Sequence, residues 1–227
     1  MSEKAMQFLY GDRELRIEVA DILKAPVDVI VNPANGSLSH GGGLAAIILQ
    51  AAGEQLQIDS DKLVKEYGVL ESGMAVYTDA GQLPFKAVIH AVGPMMGEGN
   101  EQHKLEQAIL RSLLLCEAND WKSIAFPAIS AGVFRVPIEI CAQAFFRAIT
   151  HFWDARQECA LEKIIICLTE RHFQAFFEAF REDANTPMEA VKEKIPSEEK
   201  KTSVGYIELD ENEVNRGNND IDDWFKP

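Results

Sequence analysis

DVIVNPANGSLSHGGGLAAIILQAAG, residues 28–53, decides how the chain is read. VDVIVN (27–32) is a continuous apolar run of the kind found in a strand covered on both faces. A polar turn follows, then Gly41, Gly42 and Gly43, then apolar residues at helical spacing. Without Cβ atoms, three glycines let an anion approach their backbone N–H groups closely. The helix they open adds the positive end of its dipole at the same place. A tight connection with no ligand explains the glycines equally well on their own. Asn35, six residues before them, is placed to hold a sugar or simply to form a turn before Gly36. There is no Walker lysine and no G-x-G-x-x-G pattern, so neither a P-loop ATPase nor a Rossmann dehydrogenase is indicated. A nucleotide-like ligand is the first expectation.

Working outward, two extended stretches around Gly11-Asp12 predict a hairpin upstream. Downstream, helical spacing occupies 43–53 and about 54–66, and strands are expected at 73–79 (GMAVYTD) and 86–92 (KAVIHAV). An amphipathic helix is predicted from about Gln102 to Asn119, with Leu105, Ile109, Leu113 and Cys116 on one stripe. A strand at 123–128, a loop (ISAGVFRVP) and a helix beginning near Pro137 come next. KIIICL (163–168) predicts the last strand, and a helix containing Phe173, Phe176, Phe177 and Phe180 follows it. Alternating buried strands and helices predict an α/β sandwich with helices on both faces. His90 lies in a predicted strand and is expected to be a satisfied core histidine. After about Asp183 apolar residues thin out and charge becomes dense, which predicts an acidic, mostly disordered tail over 184–227. Its apolar islands, Val204 to Leu209 and Ile221 to Phe225, are candidate docking motifs for a partner or for the domain itself.

In an α/β sheet, ligands sit beyond the carboxyl ends of strands. Ser130, Ala131, Gly132, Val133 and Phe134 form a second small-residue loop after a buried strand, so two such loops can grip a diphosphate from both sides. Phe134 suits packing on a ribose or burial in the core. The net charge of −14 disfavours DNA and other long nucleic acids, yet backbone amides bind a small anion without help from net charge. Apolar runs are too short to cross a bilayer, and MSEKAMQF has no apolar signal core, which argues for a cytoplasmic protein. Cys116, Cys141, Cys159 and Cys167 show neither C-x-x-C pairing nor histidines at metal spacing. They are expected to be buried, reduced thiols, with no metal and no cofactor implied.

VDVIVNPAN, HGGGLA, GMAVYTDAGQLPFKAVIHAVGP and FPAISAGVFRVP, in this order and spacing, resemble the macrodomain family of ADP-ribose-binding modules over roughly residues 5–182. The His-Gly-Gly-Gly-aliphatic-Ala version is most similar to coronavirus-type macrodomains and to those of macrodomain-containing ADP-ribosyltransferases. The resemblance implies a three-layer α/β/α sandwich with a mixed central sheet over 1–183. It also implies binding of ADP-ribose and of mono-ADP-ribosylated proteins. Asp21, with Ile22 beside it, matches the aspartate that accepts from the adenine amino group, though a plain turn carboxylate would look the same. Asn35 matches the asparagine that orients the distal ribose. His40, Gly41, Gly42, Gly43 and Leu44 match the stretch around that ribose and the diphosphate. Ser130, Ala131, Gly132, Val133 and Phe134 match the stretch closing over phosphate and sugar.

Catalysis, on this resemblance, falls to Asn35 and Gly42. The expected activity is hydrolysis of mono-ADP-ribose from acidic side chains, with deacetylation of O-acetyl-ADP-ribose as a related reaction of the same pocket. The alternative is a reader that binds ADP-ribosylated partners without turnover. Three positions depart from the pattern. Ala45 stands where many cellular hydrolases carry aspartate, although coronavirus-type enzymes with alanine there still hydrolyse. Arg135 replaces the usual glycine, and Leu168 falls where many members place an aromatic ring against adenine. Ala45 and the acidic tail favour the reader.

Overall fold

Val29, Ile30 and Val31 have no solvent exposure, because the strand that contains them lies inside a sheet with helices on both sides. The computed structural model describes residues 5–156 and 158–182, so the tail expected over 184–227 and its two apolar islands lie outside the described residues. Strands β1 (Ala5–Tyr10) and β2 (Arg13–Val19) form the expected hairpin across Gly11-Asp12. They are followed by β3 (Val29–Ala34), α1 (Gly43–Ala52), α2 (Gln55–Tyr67), β4 (Ala75–Thr78) and β5 (Ala87–Val92). The remainder is α3 (Glu101–Ala118), β6 (Ser123–Pro127), α4 (Ile138–Ala155), β7 (Lys163–Leu168) and α5 (Glu170–Glu182).

Seven strands make one sheet in the order β1-β2-β7-β6-β3-β5-β4. The five inner strands run parallel, and β1 and β4 are antiparallel to their neighbours, so the sheet is mixed as expected. Alternation along each strand divides the core into two faces. Val29 and Val31 point with Ile124, Phe126, Ile164 and Ile166 into a cluster with Leu105, Ile109, Phe145, Phe152 and Phe176 of α3, α4 and α5. Ile30, Val88, Ala125 and Ile165 point the other way, onto Ile48 and Ala52 of α1 and Leu56 of α2. The three-layer sandwich follows from that division.

β3 and α4 are among the elements whose boundaries differ from the sequence reading. β3 continues through Asn32 and Pro33 to Ala34, because β5 pairs with it along its whole length. β6 pairs with β3 only at Val29↔Ile124 and Ile30↔Ala125. Beyond Ile30 that edge of β3 has no strand beside it among the described residues, so Pro33 removes no donor from a ladder there. At α4, Pro137 is the cap residue, one position outside the first turn.

Candidate functional site

The parting of β3 from β6 opens a cleft of about 760 Å³ at the carboxyl ends of the parallel strands. One wall is the loop from β3 to α1, the other the loop after β6, and the ends of β2 and β7 close the far side. Asn35, Gly41, Gly42, Gly43 and Leu44 line the first wall, and Ser130, Gly132, Val133 and Phe134 the second. Asp21 and Ile22 line the far end.

The three glycines have different reasons to be glycine. Gly43 has φ +59°, a left-handed backbone that side chains with a Cβ resist. Gly42 is extended (φ −168°, ψ 168°), and a Cβ on it, or on Gly41, would meet nothing within 4 Å. Neither position needs glycine for packing or backbone freedom, which leaves room on the cleft side as the physical advantage. Gly42 caps α1 without any side-chain hydrogen bond, so the cap offers no side-chain acceptor to the first-turn N–H groups.

Asn35 both forms the turn and lines the cleft. Its Oδ1 accepts from Ser37 Oγ at 2.8 Å and from Ser39 N at 3.2 Å, while Nδ2 donates to the Ser39 carbonyl at 2.9 Å. Gly36 is fixed by a close approach, since a Cβ there would lie 2.2 Å from the Leu70 carbonyl oxygen.

The His40 ring lies under the loop, is almost fully buried, and is not among the side chains that line the cleft. Asn32 Nδ2 donates to Nδ1 of both His40 (3.1 Å) and His90 (3.0 Å), whose rings stack 5.0 Å apart. Ser60 Oγ donates to the Leu56 carbonyl and Thr78 Oγ1 to the Asp79 carbonyl. The two hydroxyl oxygens are therefore acceptors for Nε2–H of His40 and His90, at 3.0 and 2.9 Å. This arrangement leaves one proton on each ring, consistent with neutral imidazoles, and leaves the buried Asn32 Oδ1 without a partner among the described residues. Burial lowers the His40 pKa against the pull of Asp61; burial, then His40 itself, lowers that of His90 to about 3. His90 is the satisfied core histidine that the sequence predicted. This network fastens the 32–41 segment at both ends, and Asn35 lies between them.

On the opposite wall, Ser130 has φ +64°, and its buried Oγ has no partner among the described residues. Ala131, partly buried, packs against the α3–α5 side of the core and is not among the lining residues. The loop is held by Val136 N to the Ser130 carbonyl (3.1 Å) and by Met96 N to the Phe134 carbonyl (2.9 Å). Arg135 has φ +59°, which gives a backbone reason for glycine at that position.

Asp21 caps a 3-10 turn (Ile22–Lys24), accepting from Leu23 N at 3.1 Å and lying 3.6 Å from Lys24 Nζ. Among the described lining residues it is the one carboxylate, at the end away from Asn35; Ala45 presents only a methyl group. Sequence reasoning missed Ser39, Ile47, Thr169 and His172, which also line the cleft. The rule that ligands gather beyond strand ends could have found Thr169 and His172, just after β7. Of the four cysteines, three are buried and Cys159 is half-buried. Burial pushes the thiols of Cys141 and Cys167 up to about 12. Among the described residues no helix is long and apolar enough to cross a membrane.

A family model, the Macro domain, matches residues 31–145, which include the β3 loop and the loop after β6. The chain belongs to the macrodomain family. The macrodomain of Oceanobacillus iheyensis, solved with ADP, superposes with a TM-score of 0.75 at 31% identity, covering 80% of this chain and 97% of that one. The O-acetyl-ADP-ribose deacetylase of Escherichia fergusonii is 47% identical over 134 residues, 58% of this chain and 76% of that protein. Human protein mono-ADP-ribosyltransferase PARP14 is 40% identical over 173 residues, 74% of this chain, in line with the predicted likeness to macrodomain-containing ADP-ribosyltransferases. The chain spans only 10% of PARP14 and 30% of a long Thermotoga maritima relative.

Proposed function

We propose that this macrodomain binds ADP-ribose in the cleft and hydrolyses acyl esters of its distal ribose. The substrates are mono-ADP-ribose on acidic side chains of proteins and, in the same pocket, O-acetyl-ADP-ribose. The observation that carries the reading is the free space over Gly41 and Gly42, glycines the fold itself does not require. The deacetylase relative and the ADP complex of the bacterial macrodomain support it. The diphosphate lies against the first-turn amides of α1 and the loop after β6, with the distal ribose beside Asn35. Ser37 and Ser39 already bond the Asn35 amide, and sugar hydroxyls offer it the same chemistry.

On a mono-ADP-ribosylated carboxylate, water adds at C1″ of the ribose, the C1″–O bond to the acyl group breaks, and the diphosphate takes the proton of the water. On O-acetyl-ADP-ribose, whose ester is on another ribose hydroxyl, water adds at the acetyl carbonyl carbon, the acyl C–O bond breaks, and the ribose oxygen leaves with the proton. In the first case the leaving group is a carboxylate, whose parent acid has a pKa of about 4, so no protein acid is needed at that end. Orientation and preorganised amides supply the rate enhancement.

A second reading, a reader without turnover, is favoured by Ala45 and by the distance of Asp21 from the ribose end. Incubation with a protein mono-ADP-ribosylated on glutamate, following released ADP-ribose by chromatography, separates the two. Release by the wild type, reduced at least tenfold in Asn35→Ala, is expected. Binding of ADP-ribose without any release rejects hydrolysis and leaves the reader.

A further inference from the structure

The order of the strands sets the order of positions along the cleft. Their carboxyl ends run β2, β7, β6, β3; where the strands pair, about 4.8 Å between neighbours gives a span of roughly 14 Å, and the parting of β3 from β6 widens it at the carboxyl ends. Lining residues follow the same order: Asp21 after β2, Thr169 and His172 after β7, Ser130 and Phe134 after β6, and Asn35 and Gly42 after β3. On the ADP-ribose reading, on which this inference rests, a diphosphate between the two small-residue loops sends the base toward β2 and β7.

A purine base needs an aromatic face more than a hydrogen bond, and β7 itself ends on Leu168, an aliphatic residue. The described lining residues include two aromatic rings, Phe134 and His172. Phe134 belongs to the phosphate end. His172 stands in the first turn of α5, where its N–H donates to the Thr169 carbonyl at 3.0 Å and fixes the turn on which the ring is mounted. Two aliphatic side chains, Ile22 and Ile47, line the same cleft from the 3-10 turn and α1; Ile47 is 53% exposed, with much of its surface free for a partner. Burial, and then Arg171, lower the His172 pKa, which keeps the ring neutral near pH 7.

We propose that His172 stacks on the purine of bound ADP-ribose, with Ile22 and Ile47 against the opposite face and Asp21 at the edge that bears the amino group. The ring supplies from α5 the π-surface that Leu168 cannot supply from β7. It contributes to binding and takes no part in the chemical step.

Calorimetric titration of the full chain with ADP-ribose tests this in wild type, His172→Ala and His172→Phe, with melting curves of each free protein as the check on folding. His172→Ala is expected to weaken ADP-ribose about tenfold, while His172→Phe stays within about twofold of wild type. In the wild type, adding AMP is expected to shift the imidazole proton resonances of His172 upfield. Turnover of a mono-ADP-ribosylated substrate is expected to show a raised KM in His172→Ala with kcat retained. Equal affinity of wild type and His172→Ala overturns the inference, as does a loss in His172→Phe as large as in His172→Ala. Failure of the wild type to bind ADP-ribose at all rejects the ADP-ribose reading, and this inference with it.

Discussion

Replacing Gly42 by alanine separates the needs of the fold from those of a ligand. The backbone of Gly42 is extended (φ −168°, ψ 168°), which any residue adopts, and the added Cβ meets no atom within 4 Å. Alanine is a poorer helix cap than glycine by roughly 0.5–1 kcal/mol, and the more restricted unfolded chain returns about 0.4–1 kcal/mol. The net change in stability stays within about 1 kcal/mol, less than about 4 °C in melting temperature for a domain of this size. The methyl group projects into the space where a phosphate oxygen would approach the α1 amides. Loss of one charge-assisted hydrogen bond there costs about 1.5–3 kcal/mol, roughly 10- to 150-fold in affinity. Gly43→Ala is the control with the opposite signature. At φ +59° it costs about 1–2 kcal/mol of stability, so the melting temperature falls by about 2–8 °C. Scanning calorimetry and ADP-ribose titration of both variants read the two effects separately. Gly42→Ala with unchanged melting and unchanged affinity refutes the argument that the glycine is there for a ligand.

Arg135→Gly releases a left-handed backbone (φ +59°) and is expected to raise stability by up to about 1 kcal/mol, read as a higher midpoint in urea. An unchanged or lower midpoint would show that the arginine side chain offsets its own strain. The histidine pair predicts an acid-sensitive fold. Both rings are neutral when folded, with pKa values below the ordinary 6.5, so their contribution is complete above that value and is lost as pH falls toward the His90 value of about 3. Each proton taken up on unfolding contributes a slope of up to about 1.4 kcal/mol per pH unit. Urea unfolding from about pH 7 down to about pH 5 should lose stability more steeply in the wild type than in His90→Gln, and equal slopes would remove this histidine from the account.

Most of the architecture was legible because the strands are uninterrupted apolar runs and the helices keep a clear period. KIIICL forms a strand with the predicted bounds, and Val29 to Val31 alternate between two cores as a doubly covered strand must. The glycine loop and the loop after β6 meet at one cleft because both follow strands of the same parallel set. Side-chain direction within those loops was not legible. His40 and Ala131 sit inside matching motifs but turn toward the interior, since their partners, Asn32, His90 and Ser60 for one and the α3–α5 core for the other, are distant in sequence or on other elements. His172 escaped notice for the opposite reason. It stands in a phenylalanine-rich amphipathic helix, and the cleft reaches that helix only through the pairing of β7 with β2.

The brief partnership of β3 and β6 has a mechanical consequence. Two paired residues join a four-stranded block (β1, β2, β7, β6) to a three-stranded block (β3, β5, β4), and the two loops of the cleft hang from opposite blocks. A diphosphate held by both loops, as proposed, would act as a crosspiece over an open seam, adding cohesion where the ladder stops. Val31 and Phe126, the residues that follow the last pair on each strand, are both buried in the core, so packing there would bear on the width of the cleft. On the proposed reading, affinity becomes in part a property of how firmly the two blocks are shut against each other.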